Sequence, residues 1–111
     1  MSKSTPEGAV KEMIKKKLDQ LGCISAGKAS GVNHMCSGWY YMPVSNGMGV
    51  HGIPDFVGHY RGEFFAIEAK APGKKPSALQ EIQLHAIDRT GGVWGVVWND
   101  DTMTEFLKGF E

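Results

Sequence analysis

Only two cysteines occur in the chain, Cys23 and Cys36, and no CxxC pair, which excludes a disulfide framework. Cys36 lies near His34, but no second pair stands at the usual zinc-ligand spacing, and both cysteines read as buried free thiols. No apolar run approaches the length of a membrane span. The opening MSKSTPEGAV lacks the apolar region of a secretory signal, so a cytoplasmic protein with no membrane partner is expected. An excess of either charge is missing as well. Twelve Lys and Arg face twelve Asp and Glu, so total charge gives no hint of a nucleic-acid partner. There is no internal repeat and no linker. The 111 residues suit one domain, 1–111, whose core is modest enough that support from a second subunit is expected.

What is present is distribution and pattern. Lys15, Lys16 and Lys17 form a run, Lys70, Lys74 and Lys75 a looser cluster, and acids gather at Asp100, Asp101, Glu105 and Glu111. A neutral chain can still present a basic face. The run at 15–17 fits either a solvated helix end or a phosphate contact. Residues 1–4 read as a disordered start. Thr5-Pro6-Glu7 then opens a helix with a capping hydroxyl, a first-turn proline and an acid, and Val10, Met13, Ile14, Leu18 and Leu21 follow at helical spacing to Gly22.

Residues 23–38, rich in Gly, Ser and Ala, carry no firm assignment; 39–44 is aromatic and strand-like; 46–52 is a glycine-rich loop. Strands are expected at 53–60 and 63–70, joined at Arg61-Gly62 as a hairpin. Ser77 to Gln80 fits a capping box opening a helix to about Thr90, with a stripe of Leu79, Ile82, Ala86 and Ile87, ended by Gly91-Gly92. A wholly apolar strand at 93–98, of the kind buried on both faces, precedes a last helix capped by Asn99 or Asp100 and running through Phe110. The order αβββαβ predicts an α/β fold with a mixed central sheet flanked by helices.

The chemistry starts at Glu68 and Lys70. Residues two apart on a strand share a face, so these two project together while Phe65, Ile67 and Ala69 face the other way. Alone, the pair also fits the solvated face of an edge strand. Asp55 adds a third group, because the hairpin sets the start of 53–60 beside the end of 63–70. Two carboxylates and an ammonium then converge, a donor set suited to a hard divalent cation, with lysine able to orient water or neutralise charge on a phosphate. Asp55 alone also fits a turn carboxylate capping local amides.

Ile53-Pro54-Asp55 followed by Glu68-Ala69-Lys70 resembles the PD-(D/E)XK nuclease signature. With Gly52, with 65–67, with Ser77-Ala78-Leu79-Gln80 and with Gly91-Gly92, the ordered set resembles the VRR-NUC family over roughly residues 5–107. The resemblance implies a restriction-endonuclease-like core and a stand-alone domain of phage or bacterial type. It also implies a Mg²⁺-dependent endodeoxyribonuclease, with Mn²⁺ as substitute. Asp55 and Glu68 match the metal-binding acids, the Ala69 carbonyl a further ligand and Lys70 the catalytic lysine. Glu7 matches an acid on the first helix; three and seven residues before Val10 and Ile14, it lies on the buried stripe, and it fits a helix-dipole partner equally well. A glutamine on the helix after the active strand is also implied. Gln80 is favoured by its distance to Gly91-Gly92, with Gln83 as the alternative.

Branched DNA, such as a four-way junction, is the substrate expected by resemblance to phage members. A less selective flap or duplex nuclease and a catalytically silent DNA-binding module are the rival readings. Lys15, Lys16, Lys74, Lys75 and His51 are candidate DNA contacts, while His34, His59 and His85 are not required by the chemistry. The aromatics fit base stacking, a core or a subunit interface. Trp39, Tyr40, Tyr41 and Met42 are adjacent, so one strand face cannot hide them all, and a homodimer is expected.

Overall fold

The structure, a computed structural model, describes residues 5–44 and 48–110. Residues 1–4, residues 45–47, which include the start of the expected 46–52 loop, and Glu111 lie outside the described residues. The elements are α1 (Pro6–Gln20), β1 (Cys23–Ser25), β2 (Gly38–Tyr41), β3 (Phe56–Tyr60), β4 (Glu63–Ala69), α2 (Ala78–Arg89), β5 (Val93–Val97) and α3 (Asp100–Leu107). Short 3₁₀ turns at Ala26–Gly31 and Lys108–Phe110 complete them. The strands form one mixed sheet in the order β1-β2-β3-β4-β5, parallel at both ends and antiparallel through β2, β3 and β4. The fold is α/β, with helices flanking a five-stranded mixed sheet.

Local chemistry sets these boundaries. Thr5 accepts a hydrogen bond from the Gly8 amide at 2.9 Å and Pro6 fills the first turn, so α1 starts where a cap and a missing donor are both satisfied. Val10, Ile14 and Leu18 of α1, with Met103 and Phe106 of α3, cover one sheet face against Tyr40, Phe56, Phe65, Ile67, Ala69 and Val97. Arg61 (φ 54°) and Gly62 (φ 81°) both adopt the left-handed conformation of a two-residue hairpin turn, which locks Tyr60 opposite Glu63 and Phe56 opposite Ile67. Asn99, rather than Asp100, caps α3: its side chain accepts from the Thr102 amide at 2.9 Å.

Four expectations change. β1 lies within the unassigned 23–38 stretch, as a three-residue edge strand parallel to β2. β3 begins at Phe56 rather than at residue 53, because Pro54 has no amide to give the ladder and Asp55 turns its side chain to the neighbouring strand end. β5 is an edge strand contacting α2 and α3, and only Val97 is fully buried, so it is not sealed on both faces. On α2 the inward residue is Leu84, whereas Leu79 (52% exposed) and Ile82 (58%) face out. The expected stripe is displaced because Gln80, not Leu79, points to the sheet.

β2 alternates as a half-covered strand does. Tyr40 is buried and its hydroxyl donates to Asp19 at 2.8 Å, while Trp39 and Tyr41 stay partly exposed with ring centroids 6.5 Å apart. Register pairs Trp39 with His59 and His59 with Phe64, so these side chains share one face with Tyr41. That face carries the exposed aromatics Trp39, Tyr41 and Phe64. Among the described residues no helix is long and apolar enough to cross a membrane.

Candidate active site

The candidate site lies where the start of β3, the end of β4 and the first turns of α1 and α2 meet. Asp55 is held there by the β4 backbone: the Ala69 amide donates to its Oδ2 at 2.9 Å. That bond leaves Oδ1 for the cleft, where Lys11 Nζ approaches to 3.5 Å. Continued one residue past the Phe56–Ile67 pair, the hairpin register sets Asp55 opposite Glu68, and its side chain reaches the next residue, Ala69.

Glu68 alternates with Ile67 and Ala69 and so points to the opposite face from α1 and α3. It is 1% exposed, the one buried charged residue among those described. The reading of Glu68 as a solvated edge-strand group is therefore overturned. Its Oε2 accepts from Gln80 Nε2 at 2.8 Å and lies 3.8 Å from Lys70 Nζ, while its Oε1 is buried with no hydrogen-bond partner. Burial and the neighbouring Asp55 carboxylate push its carboxyl up to about 8, with the charge of Glu7 adding to the shift and Lys70 opposing it.

Gln80 unites two roles that sequence alone offered as alternatives. Its Oε1 accepts from the Ser77 amide at 2.8 Å and its backbone amide donates to Ser77 Oγ at 3.2 Å, closing the capping box. The box orients the carboxamide, and the remaining Nε2 is the group that reaches Glu68. Gln83 lies nearly one turn further on, half-buried, so Gln80 is the glutamine at the site. Gly52, at φ +85°, lets the preceding loop come close: a Cβ there would stand 2.4 Å from the Leu79 carbonyl oxygen and 2.9 Å from the Gln80 amide.

Glu7, Lys11, His51, Asp55 and Gln80 line one cleft of about 310 Å³. The structure thus gathers Glu7, His51, Asp55 and Gln80, with Glu68, Ala69 and Lys70 adjoining through the contacts above. Glu7 is only half-buried, at the rim rather than on the core stripe, because the α1 stripe begins at Val10. Lys15, Lys16, Lys74 and Lys75 do not line this cleft. Lys16 borders a depression of about 530 Å³ together with Glu12 and Asp100, and Lys15 is half-buried. Lys74 and Lys75 are exposed beside Trp98, whose indole donates to the Lys74 carbonyl at 2.7 Å. Lys11 is the site residue that sequence reading missed. Its signal was its place one turn beyond Glu7, on the same helix face.

Carboxylate and carbonyl oxygens are the donors that magnesium takes. Among the described residues no three acids, histidines or cysteines form a ready cluster. Magnesium does not need one, since it keeps several waters and is held by one or two carboxylates. The fit is carried by Glu68 Oε1: a buried carboxylate oxygen without a donor is costly unless a proton or a cation meets it. No protein-family model, curated protein or solved structure matches this chain.

Proposed function

We propose that the chain is a metal-dependent DNA nuclease of the PD-(D/E)XK class, VRR-NUC type, with a restriction-endonuclease-like core. The observation that supports this best is the buried, half-unpartnered carboxyl of Glu68 set beside Asp55 and Lys70. Asp55 and Glu68 would hold Mg²⁺ or Mn²⁺, with the Ala69 carbonyl and Glu7 as further oxygen donors. The ion, when bound, supplies an acidified water and polarises the scissile phosphate. Lys70, 3.8 Å from Glu68, would orient that water or neutralise charge developing on the phosphate. Gln80 fixes the Glu68 carboxyl through its amide, and His51 faces the cleft where the strand would pass.

Branched DNA is the proposed substrate. Incubation with Mg²⁺ and labelled duplex, flap and four-way junctions tests this. Cleavage of junctions that EDTA removes is expected. Cutting of duplex or flap in preference would replace the junction with a less selective substrate, and binding without cleavage under any divalent ion would overturn the nuclease reading.

Gln80 gives a finer test. Gln80→Ala should destabilise α2 by about 0.5–1.5 kcal/mol through loss of the reciprocal bond to the Ser77 amide, while Ser77 still caps the helix. Gln80→Glu keeps an oxygen for the Ser77 amide but places an acid against Glu68, so it should retain more helix stability yet still lose turnover. Gln83→Ala should leave turnover near wild type. Comparison of melting curves with single-turnover rates checks this, and loss of turnover confined to Gln83→Ala would reverse the assignment.

The proposed active form is a homodimer. Two cuts on a two-fold substrate need two sites related by matching symmetry, and the face bearing Trp39, Tyr41 and Phe64 offers an apolar surface for a second copy. Sedimentation at micromolar concentration should give a dimer mass, and Trp39→Asp with Tyr41→Asp should give a monomer that loses paired cuts. A wild-type monomer that still makes paired cuts refutes this arrangement.

A further inference from the structure

Lys11 stands apart from the other lysines. Its ammonium lies 3.5 Å from Asp55 Oδ1 and 3.5 Å from Glu7 Oε2, bridging two acids that come from different elements. Charge-assisted hydrogen bonds between such groups run to about 2.7–2.9 Å. Both contacts are longer, and the Lys11 side chain is 34% exposed, so Coulomb attraction rather than tight hydrogen bonding holds it. The bridge occupies Asp55 Oδ1, since Oδ2 is committed to the Ala69 amide. Lys70 serves Glu68 instead. The two lysines therefore divide the acids between them.

We propose that Lys11 is the site's own cation, holding Glu7 and Asp55 together in the ion-free protein and turning to the substrate phosphate when a divalent ion enters. This rests on the metal-dependent reading above. A lysine suits both states because its charge sits on a flexible four-carbon stem that can swing without moving the helix. The formal charges agree. Once Glu68 gives up its proton to an entering cation, Glu7, Asp55 and Glu68 against Lys11 and Lys70 leave one negative charge in excess. A divalent ion converts this to one positive charge, which a phosphodiester neutralises. Without Lys11, the loaded site would be neutral and would attract the phosphate less. Lys11 is thus a competitor for the ion in one state and a DNA contact in the other.

Mn²⁺ titration of the DNA-free protein by calorimetry separates these roles from a merely structural ion pair. Lys11→Met should tighten Mn²⁺ binding by about 2- to 30-fold, the range expected from removing two partly exposed ion pairs. In Ca²⁺, the same variant should bind a labelled four-way junction more weakly, with the log–log salt slope smaller by about one. Lys11→Arg should restore both towards wild type. Equal or weaker Mn²⁺ binding by Lys11→Met, or an unchanged salt slope, overturns the role of Lys11 while leaving the metal site standing. Failure of the wild-type protein to bind Mn²⁺ overturns both this inference and the metal-dependent reading.

Discussion

Glu68→Gln should abolish Mg²⁺-dependent cleavage and at the same time raise the melting temperature of the ion-free protein. The two effects have one cause. Glu68 is 1% exposed, one of its oxygens has no partner, and its carboxyl is pushed up to about 8 from an ordinary 4.5. At pH 7 the folded protein must keep on this group a proton that the unfolded chain releases, at a cost of about 3 kcal/mol. Glutamine has nearly the same shape and carries no such cost. Its carboxamide oxygen can still accept from Gln80. Each kcal/mol recovered moves the midpoint of a domain this size by roughly 4–8 °C. The variant cannot supply a carboxylate to the ion, so single-turnover cleavage should fall by about 10³-fold or more, some 4 kcal/mol of transition-state stabilisation. Lys70→Ala should differ. It should slow cleavage while retaining Mn²⁺ binding, because both acids remain. A Glu68→Gln protein that cuts at the wild-type rate, or that melts earlier than wild type, would refute this account.

Much of this site was legible because hairpin geometry is nearly deterministic. A two-residue turn at Arg61-Gly62 fixes which residues of β3 and β4 are opposite, and so carries Asp55 to the Glu68–Ala69 end of β4 without knowledge of the rest of the fold. The capping box at Ser77 was equally local. Lys11 was legible only as a helical neighbour of Glu7; its place in the site comes from Asp55, a residue distant in sequence that reaches it only when α1 packs on the sheet. The α2 stripe failed for a related reason. Hydrophobic periodicity assigned Leu79 and Ile82 to the core, but the hydrogen bond of Gln80 to Glu68 turns that polar residue inward and leaves both aliphatics exposed. A site need outweighed a packing pattern. The short β1 left no periodic signal at all. In β2, alternation did predict that the aromatic run would split, and burial of Tyr40 between exposed Trp39 and Tyr41 agrees with it.

The second large effect is a reversal in how pH acts on stability with and without a divalent ion. Without one, the melting temperature should fall as pH rises from about 5 to about 8. The sign follows from Glu68, whose folded carboxyl titrates at about 8 and whose ordinary value is 4.5. Below 4.5 both states hold the proton, and the contribution to stability is fully present. Between the two values the folded protein holds a proton that the unfolded chain has lost, so each rise in pH favours unfolding, by at most about 1.4 kcal/mol per pH unit. Above 8 both states are ionised, and the folded protein carries a buried carboxylate beside Asp55. Mg²⁺ or Mn²⁺ favours that same ionised form. The ion should therefore stabilise little at pH 5.5 and strongly at pH 8.5, flatten the pH profile and bind with release of up to one proton. Melting curves in matched buffers at constant ionic strength, with and without 10 mM Mg²⁺ (an excess of roughly this order suits a weak hard-ion site), read both halves. Glu68→Gln should lack the Glu68-dependent slope and most of the stabilisation by Mg²⁺. A wild-type profile that matches Glu68→Gln, or Mg²⁺ stabilisation that is larger at pH 5.5 than at pH 8.5, would show that Glu68 is not the group that links proton, ion and fold.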